Sequence, residues 1–491
     1  MHQNRCPRWS RICTQHSPTA TEDHHLRGSF IEDARDRATQ LALWQQKQPG
    51  QLQMGFVPIA FQEEQQHFLL AGAPGTGKSL SLKWMMADIR QRGQKALVYD
   101  PVGDAVELFY RPGFDIILNP LDERDAGWYP WADMERHDLP AVAKMLVPDP
   151  QGQADPFWAN AAQAVLQALF SQCQQIDEVI RLGLMAEDEE LRAVVRKAGM
   201  IGLVGAEKTF SGVRATLAAP LQKIALVHNK TLMDSQAGRA FSLTEWVKND
   251  NDGRWVFLLS DKGQAAALAP LHAWWLNTVV RAALSATPSP DRRIWLFLDE
   301  LPTLGKQEML APALSEGRKF GLIGVLGLQT IQQLREIYGR EGAAVLWGLP
   351  KNRLMLRISD HETADMISAE IGEYQRRRIT TGSSYSENVG VSHGTSMGGG
   401  MGEFAGGMFD GVFGSRNTTH SSGQSWGTNK SESLVTERAV LPSEIMALPD
   451  LEGYLRAGGE IVRVRLPVPE PRWVSSQPAR LYRPPRALPS I

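Results

Sequence analysis

The 491-residue sequence is poor in cysteine, with only three. Cys6, Cys13 and Cys173 form no cluster at metal-ligand spacing, and the histidines are scattered. We therefore expect reduced thiols in a cytoplasmic compartment and no zinc site. The formal net charge is −2, so the overall balance does not indicate a nucleic-acid partner. A local basic surface remains compatible with such a balance.

Long apolar runs are also missing. Residues 265–284 come nearest to a membrane span, but they include Pro270, His272, Asn277 and Arg281, so a buried helix is the better interpretation. The first 25 residues are polar and have no apolar core, which excludes a signal peptide. The chain length predicts two or three domains.

Short apolar runs predict strands that are buried on both faces of a sheet. They occur at 67–71, 95–100, 114–118, 255–259, 294–298, 323–328, 353–358 and 460–464. A helix predicted at 79–92 joins the first two, giving a strand–helix–strand unit typical of a parallel α/β fold. Between the third and fourth runs, helical periodicity replaces the strand signals. We therefore predict a mostly parallel sheet flanked by helices, with an inserted all-α domain.

Composition changes along the chain predict the domain boundaries. Residues 380–438 are rich in Gly and Ser and have few aliphatic side chains, so we expect a flexible loop there. A further helical stretch is expected around 31–46. The predicted segments are a polar leader (1–25), a nucleotide-binding domain in three parts (26–130, 244–379 and 439–468), the all-α insert (131–243), the flexible loop (380–438) and a Pro/Arg-rich tail (469–491).

A phosphate-binding loop is the most specific motif. The segment consists of Gly72, Ala73, Pro74, Gly75, Thr76, Gly77, Lys78 and Ser79, and it fits G-x-x-x-x-G-K-[ST] in full. The glycines let backbone N–H groups converge on phosphate oxygens, Lys78 neutralises the β- and γ-phosphates, and the Ser79 hydroxyl reaches Mg²⁺. Its position between a buried strand and a helix favours ATP and Mg²⁺ binding over a glycine-rich turn without a ligand.

Two acidic residues follow the strand predicted at 294–298. Asp299 is predicted to hold the Mg²⁺ shell, and Glu300 to polarise the attacking water as a catalytic base. Acidic residues also end strands for solubility alone, but the phosphate-binding loop favours the functional interpretation. A Glu directly after the Asp indicates a hydrolase.

Three further features each allow a functional and a purely structural interpretation. Gln329 closes the next strand, where it can sense the γ-phosphate, orient water or simply bond a turn. Arg318 ends the preceding helix, where it is either a partner of the helix dipole or an arginine finger that reaches a neighbouring subunit's ATP. Lys351, Arg353 and the run 376–378 form either a DNA-contacting patch or a solvated charged face.

The ordered set of motifs resembles the TraD/TraG/TrwB family of type IV secretion coupling proteins. The resemblance spans about Leu26 to Val464. Besides the phosphate-binding loop it rests on Glu64–Leu69, Ile89–Gly93 with Val98–Asp100, Asp115–Asp122, Phe157–Ala162, Leu298–Pro302, Gly317–Gly321 with Leu328–Gln329, and Ala447–Leu451.

The resemblance implies a RecA-like P-loop NTPase core with an inserted all-α domain, assembled as a homo-hexamer around a pore. It implies that Gln329 is a γ-phosphate sensor and Arg318 an arginine finger acting between subunits. The implied partners are DNA, with single strands expected, relaxase and other relaxosome proteins, and the components of the type IV secretion channel. The implied location is the cytoplasmic face of the bacterial inner membrane.

One departure from the family and three candidate functions stay open. Family members usually begin with two membrane-spanning helices, whereas the resemblance here begins near Leu26, as expected either for a soluble relative or for a fragment. The chain is an ATP-driven DNA translocase, or a nucleotide-gated adaptor that recruits relaxase or effector proteins. A chromosomal DNA pump of the FtsK or HerA kind is a third possibility, which the helical insert disfavours.

Overall fold

The computed structural model describes residues 24–29, 31–33, 50–150, 155–200, 207–227, 240–261, 263–396 and 415–467. They divide into two compact units. The larger unit lies within 31–371 and 440–491, and the smaller within 1–30 and 372–439.

The larger unit is built on a ten-stranded sheet. Its strands are β2 (Ile31–Asp33), β5 (Phe68–Ala71), β6 (Lys95–Asp100), β7 (Ile116–Leu118), β8 (Trp255–Leu259), β9 (Ile294–Leu298), β10 (Leu322–Leu328), β11 (Asn352–Leu356), β14 (Glu452–Ala457) and β15 (Glu460–Arg465). Their order is β2-β15-β14-β11-β5-β10-β9-β6-β8-β7. The seven strands from β11 to β7 are parallel, and β14 runs antiparallel to its neighbours β11 and β15. A two-stranded sheet, β3 (Gln53–Met54) with β4 (Val57–Pro58), precedes β5.

Helices cover this sheet and form the stretch between β7 and β8. They are α1 (Phe61–Glu64), α2 (Lys78–Gln91), α3 (Asp104–Phe109), α4 (Leu139–Leu146), α5 (Phe157–Gln172), α6 (Ile176–Ile180), α7 (Asp188–Lys197), α8 (Glu207–Ile224), α9 (Leu243–Lys248), α10 (Ala265–Leu284), α11 (Leu310–Glu316), α12 (Ile331–Gly348), α13 (His361–Ile371) and α14 (Pro442–Met446). All regular elements described between β7 and β8 are helices, so the predicted fold class is confirmed.

The central strands are buried at every position, as a parallel sheet covered on both faces requires. Helix α10 is the apolar segment that the sequence assigned to the interior, and that prediction is confirmed. Its Trp274 and Trp275 lie edge-on to Trp128, with ring centroids 5.0 and 5.9 Å away. Helices α4, α8 and α9 pack against α10, which joins the helical stretch to the sheet. Within the described residues, no helix combines the length and apolar character needed to cross a bilayer.

The smaller unit corrects the predicted flexible loop at 380–438. Most of that segment belongs to two long strands, β12 (Glu373–Ser396) and β13 (Ser415–Arg438), paired antiparallel along their whole length. We call these paired strands the ribbon. Strand β1 (His24–Gly28) pairs with the base of β12. The prediction failed because it counted only apolar surface, whereas cross-strand pairing satisfies backbone N–H and C=O groups without a core.

The other predictions near the termini have mixed outcomes. The helical stretch expected at 31–46 begins instead with β2, and its remainder lies outside the described residues. Most of the leader (1–25) and the whole tail (469–491) also lie outside them. The predicted domain boundaries therefore remain predictions.

Candidate functional site

The phosphate-binding loop connects the carboxyl end of β5 to α2. Gly75 and Gly77 have φ angles of +79° and +108°, in the region that favours glycine. The backbone N–H of Ala73 donates to the carbonyl of Arg357 over 2.8 Å. The Thr76 hydroxyl donates to the carbonyl of Ala73 over 2.7 Å. These contacts hold the loop in a defined shape at the start of a helix, where backbone N–H groups attract anions.

The side chains of Lys78, Ser79 and Asp299 meet at this loop. The Ser79 hydroxyl donates to Oδ2 of Asp299 over 2.7 Å, and Nζ of Lys78 lies 3.7 Å from Oδ1. Lys78 is buried, whereas the side chain of Asp299 is 32% exposed. Parallel strands β5 and β9 both have their carboxyl ends here, so residues distant in the sequence come together.

This group fits a Mg²⁺ ion that also contacts nucleotide phosphates. Oδ1 of Asp299 is buried and accepts no hydrogen bond within the described part of the protein. A carboxylate oxygen and a hydroxyl are the hard oxygen ligands that Mg²⁺ takes in small number, with phosphate oxygens and water supplying the rest. Ser79 and Asp299 would hold the ion.

Glu300 and Gln329 also lie together, because β9 and β10 are neighbours in the sheet. Nε2 of Gln329 donates to Oε1 of Glu300 over 2.7 Å. Both side chains are partly buried. The amide therefore fixes the orientation of the carboxylate that the sequence predicted as the catalytic base.

Two residues without a predicted role, Thr303 and Tyr99, hold the backbone of Glu300 through a chain of hydrogen bonds. The Thr303 hydroxyl donates to the carbonyl oxygen of Glu300 over 2.7 Å and lies 2.9 Å from the Tyr99 hydroxyl, which then acts as the donor to Thr303. Burial raises the pKa of Tyr99, so the phenol stays protonated. Tyr99 precedes the last residue of β6, next to β9 in the sheet. A single hydroxyl in a strand gives no sequence signal for such a role.

Arg318 lies at the amino-terminal ends of the parallel strands, whereas the phosphate-binding loop lies at their carboxyl-terminal ends. It is exposed on a 3-10 turn, Gly317–Phe320, just before β10 begins. The turn needs Gly321, whose φ is +84° and whose Cβ would lie 2.4 Å from a backbone oxygen. Strand β10 has seven residues, so roughly 20 Å separates its two ends. Arg318 is therefore out of reach of the nucleotide site of its own subunit.

The proposed basic patch loses one member. Arg353 is buried, its guanidinium pairs with the carboxylate of Glu370, and its Nε donates to a backbone carbonyl over 2.9 Å. Arg376 pairs with Glu437 over 2.9 Å. Lys351 is exposed. Arg353 therefore serves the fold and is not available to DNA.

The fold and the site together define a P-loop protein of the nucleotide-binding class. A phosphate-binding loop follows one parallel strand, and an acidic pair follows another strand two positions along the sheet. The type IV secretion-system coupling protein DNA-binding domain matches residues 51–467 of this chain. The chain therefore belongs to the family of type IV secretion-system coupling proteins, and the resemblance inferred from its motifs is confirmed.

Relatives and solved structures agree with this assignment. The coupling protein TraD of Escherichia coli (strain K12) is 32% identical over 368 residues, which are 70% of this chain and 50% of TraD. This chain thus spans about half the length of the curated relatives it matches.

Among solved structures, the unbound conjugative coupling protein TrwBdeltaN70 aligns with a TM-score of 0.73 and 26% identity, covering 94% of this chain and 97% of that one. TrwB in complex with ADP and Mg²⁺ aligns with a TM-score of 0.72 and 27% identity, covering 92% and 96%.

Proposed function

We propose that this protein is an ATP-hydrolysing DNA translocase that couples the DNA-processing complex to a type IV secretion channel in conjugation. The observation that carries the proposal is the joint placement of Ser79, Lys78 and Asp299 beside the pair Glu300–Gln329, within a coupling-protein fold. ATP and Mg²⁺ are the proposed ligands, in line with the nucleotide complexes of TrwB.

Each residue of the site has a defined part in hydrolysis. The backbone N–H groups of the loop from Gly72 to Gly77 bind the phosphates, and Lys78 neutralises the β- and γ-phosphates. Mg²⁺, when bound to Ser79 and Asp299, supplies positive charge at the phosphates. Glu300 accepts a proton from the attacking water.

Gln329 links this base to the γ-phosphate. Its amide group donates to Oε1 of Glu300. The same side chain can therefore contact a γ-phosphate and fix the orientation of the catalytic base. Hydrolysis removes one of the groups that Gln329 contacts, which frees Gln329 to move relative to Glu300.

Arg318 completes the site of a neighbouring subunit. Because it lies at the far edge of the sheet, it can stabilise transition-state charge only in another copy of the chain. This supports a ring, which we propose to be a homo-hexamer around a DNA pore. The helical stretch between β7 and β8 is the proposed contact surface for relaxase, other relaxosome proteins or DNA. We place the assembly at the cytoplasmic face of the inner membrane.

The test is the ATPase rate of the purified protein with and without single- and double-stranded DNA. Lys78→Ala provides the blank, because it removes the charge that binds the phosphates. We expect DNA to stimulate hydrolysis, more strongly as protein concentration rises and rings form. Glu300→Gln is expected to bind ATP but not to hydrolyse it.

Two outcomes would change the proposal. Hydrolysis that depends on Lys78 but ignores DNA at every protein concentration would favour a nucleotide-gated adaptor. A Glu300→Gln protein that hydrolyses ATP at the parent rate would remove Glu300 from the role of base.

A further inference from the structure

The ribbon has two faces of different composition. Alternate residues of a strand share one face, and residues paired directly across two strands share it too. The register pairs Ser384 with Gly427 and Ser386 with Ser425, so even-numbered residues of β12 share a face with odd-numbered residues of β13.

On that face, every even-numbered residue from 380 to 396 and every odd-numbered residue from 415 to 433 is Ser, Thr, Asn or Gly. We call it the small face. The other face holds every charged, aromatic and branched aliphatic residue of the two stretches 379–396 and 415–434, among them Tyr385 and Trp426, which are paired directly. A flexible linker has no reason to separate residues with a period of two, whereas a strand with two different environments requires it.

The ribbon also has unpaired edges. Strand β13 is the last strand of its sheet, and β1 covers only the base of β12, up to Arg377. Beyond that point neither outer edge has a partner strand among the described residues. An isolated two-stranded hairpin is marginally stable in water, and exposed strand edges are templates for pairing with another chain.

We propose that the ribbons of neighbouring copies of this chain pair edge to edge, β13 of one with β12 of the next, and close into a β-barrel. The small face lines the lumen. The proposal rests on the ring assembly given under the proposed function. Rings of identical subunits share one symmetry axis, so a barrel formed by the ribbons of all copies would lie on that axis.

The dimensions support another copy as the partner. The free part of β12, residues 378–396, is about 60 Å long, which is enough for a continuous ladder of hydrogen bonds with a strand of a neighbouring copy. Each copy makes two such contacts, and closure removes every free edge.

The lumen of such a barrel suits the passage of a DNA strand. Six copies would give about twelve strands, between the eight-stranded barrels that side chains fill and the sixteen-stranded barrels with aqueous channels. Residues as small as Ser and Gly leave such a barrel open. Hydroxyl and amide groups without charge offer a translocating DNA strand no strong binding site, whereas the larger residues fit the outer, convex side.

Adjacent serines provide a matched test in the full-length chain. Ser421 lies on the small face and Ser422 on the other, so Ser421→Trp and Ser422→Trp add the same bulk to opposite faces. ATP-driven displacement of streptavidin from end-biotinylated single-stranded DNA reports translocation. Mass photometry reports the ring, and electron microscopy shows whether a tube projects from it.

We expect the parent rings to carry a tube that is lost when residues 380–431 are replaced by an Asn-Gly turn. Ser421→Trp should abolish displacement while ring mass and DNA-independent hydrolysis stay at the parent level, and Ser422→Trp should displace normally.

Rings with DNA-stimulated hydrolysis whose two Trp variants behave alike, or whose ribbons project as separate arms, would overturn the barrel and leave the proposed function standing. Loss with Ser422→Trp alone would mean that the outer face binds DNA or another protein, which also overturns it. A parent that forms no ring would refute the ring assembly itself.

Discussion

Arg318→Ala should reduce ATP hydrolysis by about 10³-fold, the usual effect of removing an arginine finger. The loss should affect hydrolysis and leave ATP binding intact, because Arg318 lies away from the phosphate-binding loop of its own subunit. Lys319→Ala, the neighbouring exposed cation on the same turn, is the matched control and should keep the parent rate.

The position of Arg318 makes a mixing experiment quantitative. Arg318→Ala subunits keep an intact phosphate-binding loop, and Lys78→Ala subunits keep an intact arginine. Each protein alone is inactive. In rings assembled from equal amounts, about one quarter of the interfaces join an intact loop to an intact arginine, so the mixture should recover up to about one quarter of the parent rate.

The assay is steady-state phosphate release in the presence of DNA, measured across mixing ratios after the proteins have been unfolded and refolded together or co-expressed. Native mass spectrometry of the same samples confirms that mixed rings form. Mixed rings without recovered hydrolysis would refute action between subunits. Parent-like hydrolysis by Arg318→Ala alone would remove Arg318 from the site altogether.

Three further predictions concern the support of the site and the stability of the fold. Thr303→Val should lower kcat about fivefold with little change in KM, since it removes one hydrogen bond to Glu300 worth about 1 kcal/mol, and Thr303→Ser should restore the rate. Asp115→Asn should lower the free energy of unfolding in urea by about 3 kcal/mol, because it unbalances a buried ion pair with Arg90 at 2.9 Å; an unchanged urea midpoint would contradict this. Burial lowers the pKa of His272 to about 4, below its unfolded value near 6.5, so stability present above pH 6.5 should fall by up to about 3 kcal/mol as the pH drops towards 4, and His272→Phe should flatten that loss in urea titrations.

The sheet and the nucleotide site were accessible from the sequence because their signals are local. Strands β6, β8 and β9 have the predicted bounds, since a strand covered on both faces is a short run of apolar residues. The phosphate-binding loop requires particular residues at fixed spacing. Placing Asp299 beside Ser79 then needed only the rule that parallel strands end at one edge.

The remaining features depend on contacts that no local pattern encodes. The ribbon is held by pairs up to 65 positions apart, such as Glu373 with Arg438, and its low apolar content imitates a linker. The support of Glu300 by Tyr99 depends on the neighbouring positions of β6 and β9. That Arg318 lies across the sheet from its own site follows from the direction of β10, which motif spacing does not give.

Strand β10 has one consequence for timing within a ring. Arg318 precedes it and Gln329 follows it, so one fully buried strand joins the proposed γ-phosphate sensor to the proposed arginine finger. The close packing around a fully buried strand has low compressibility and transmits strain. Any displacement of Gln329 after phosphate release would therefore move Arg318 as well. We expect neighbouring sites of the proposed ring to hydrolyse ATP one after another, because a displacement at one site is transmitted along β10 to the residue that acts on the next site.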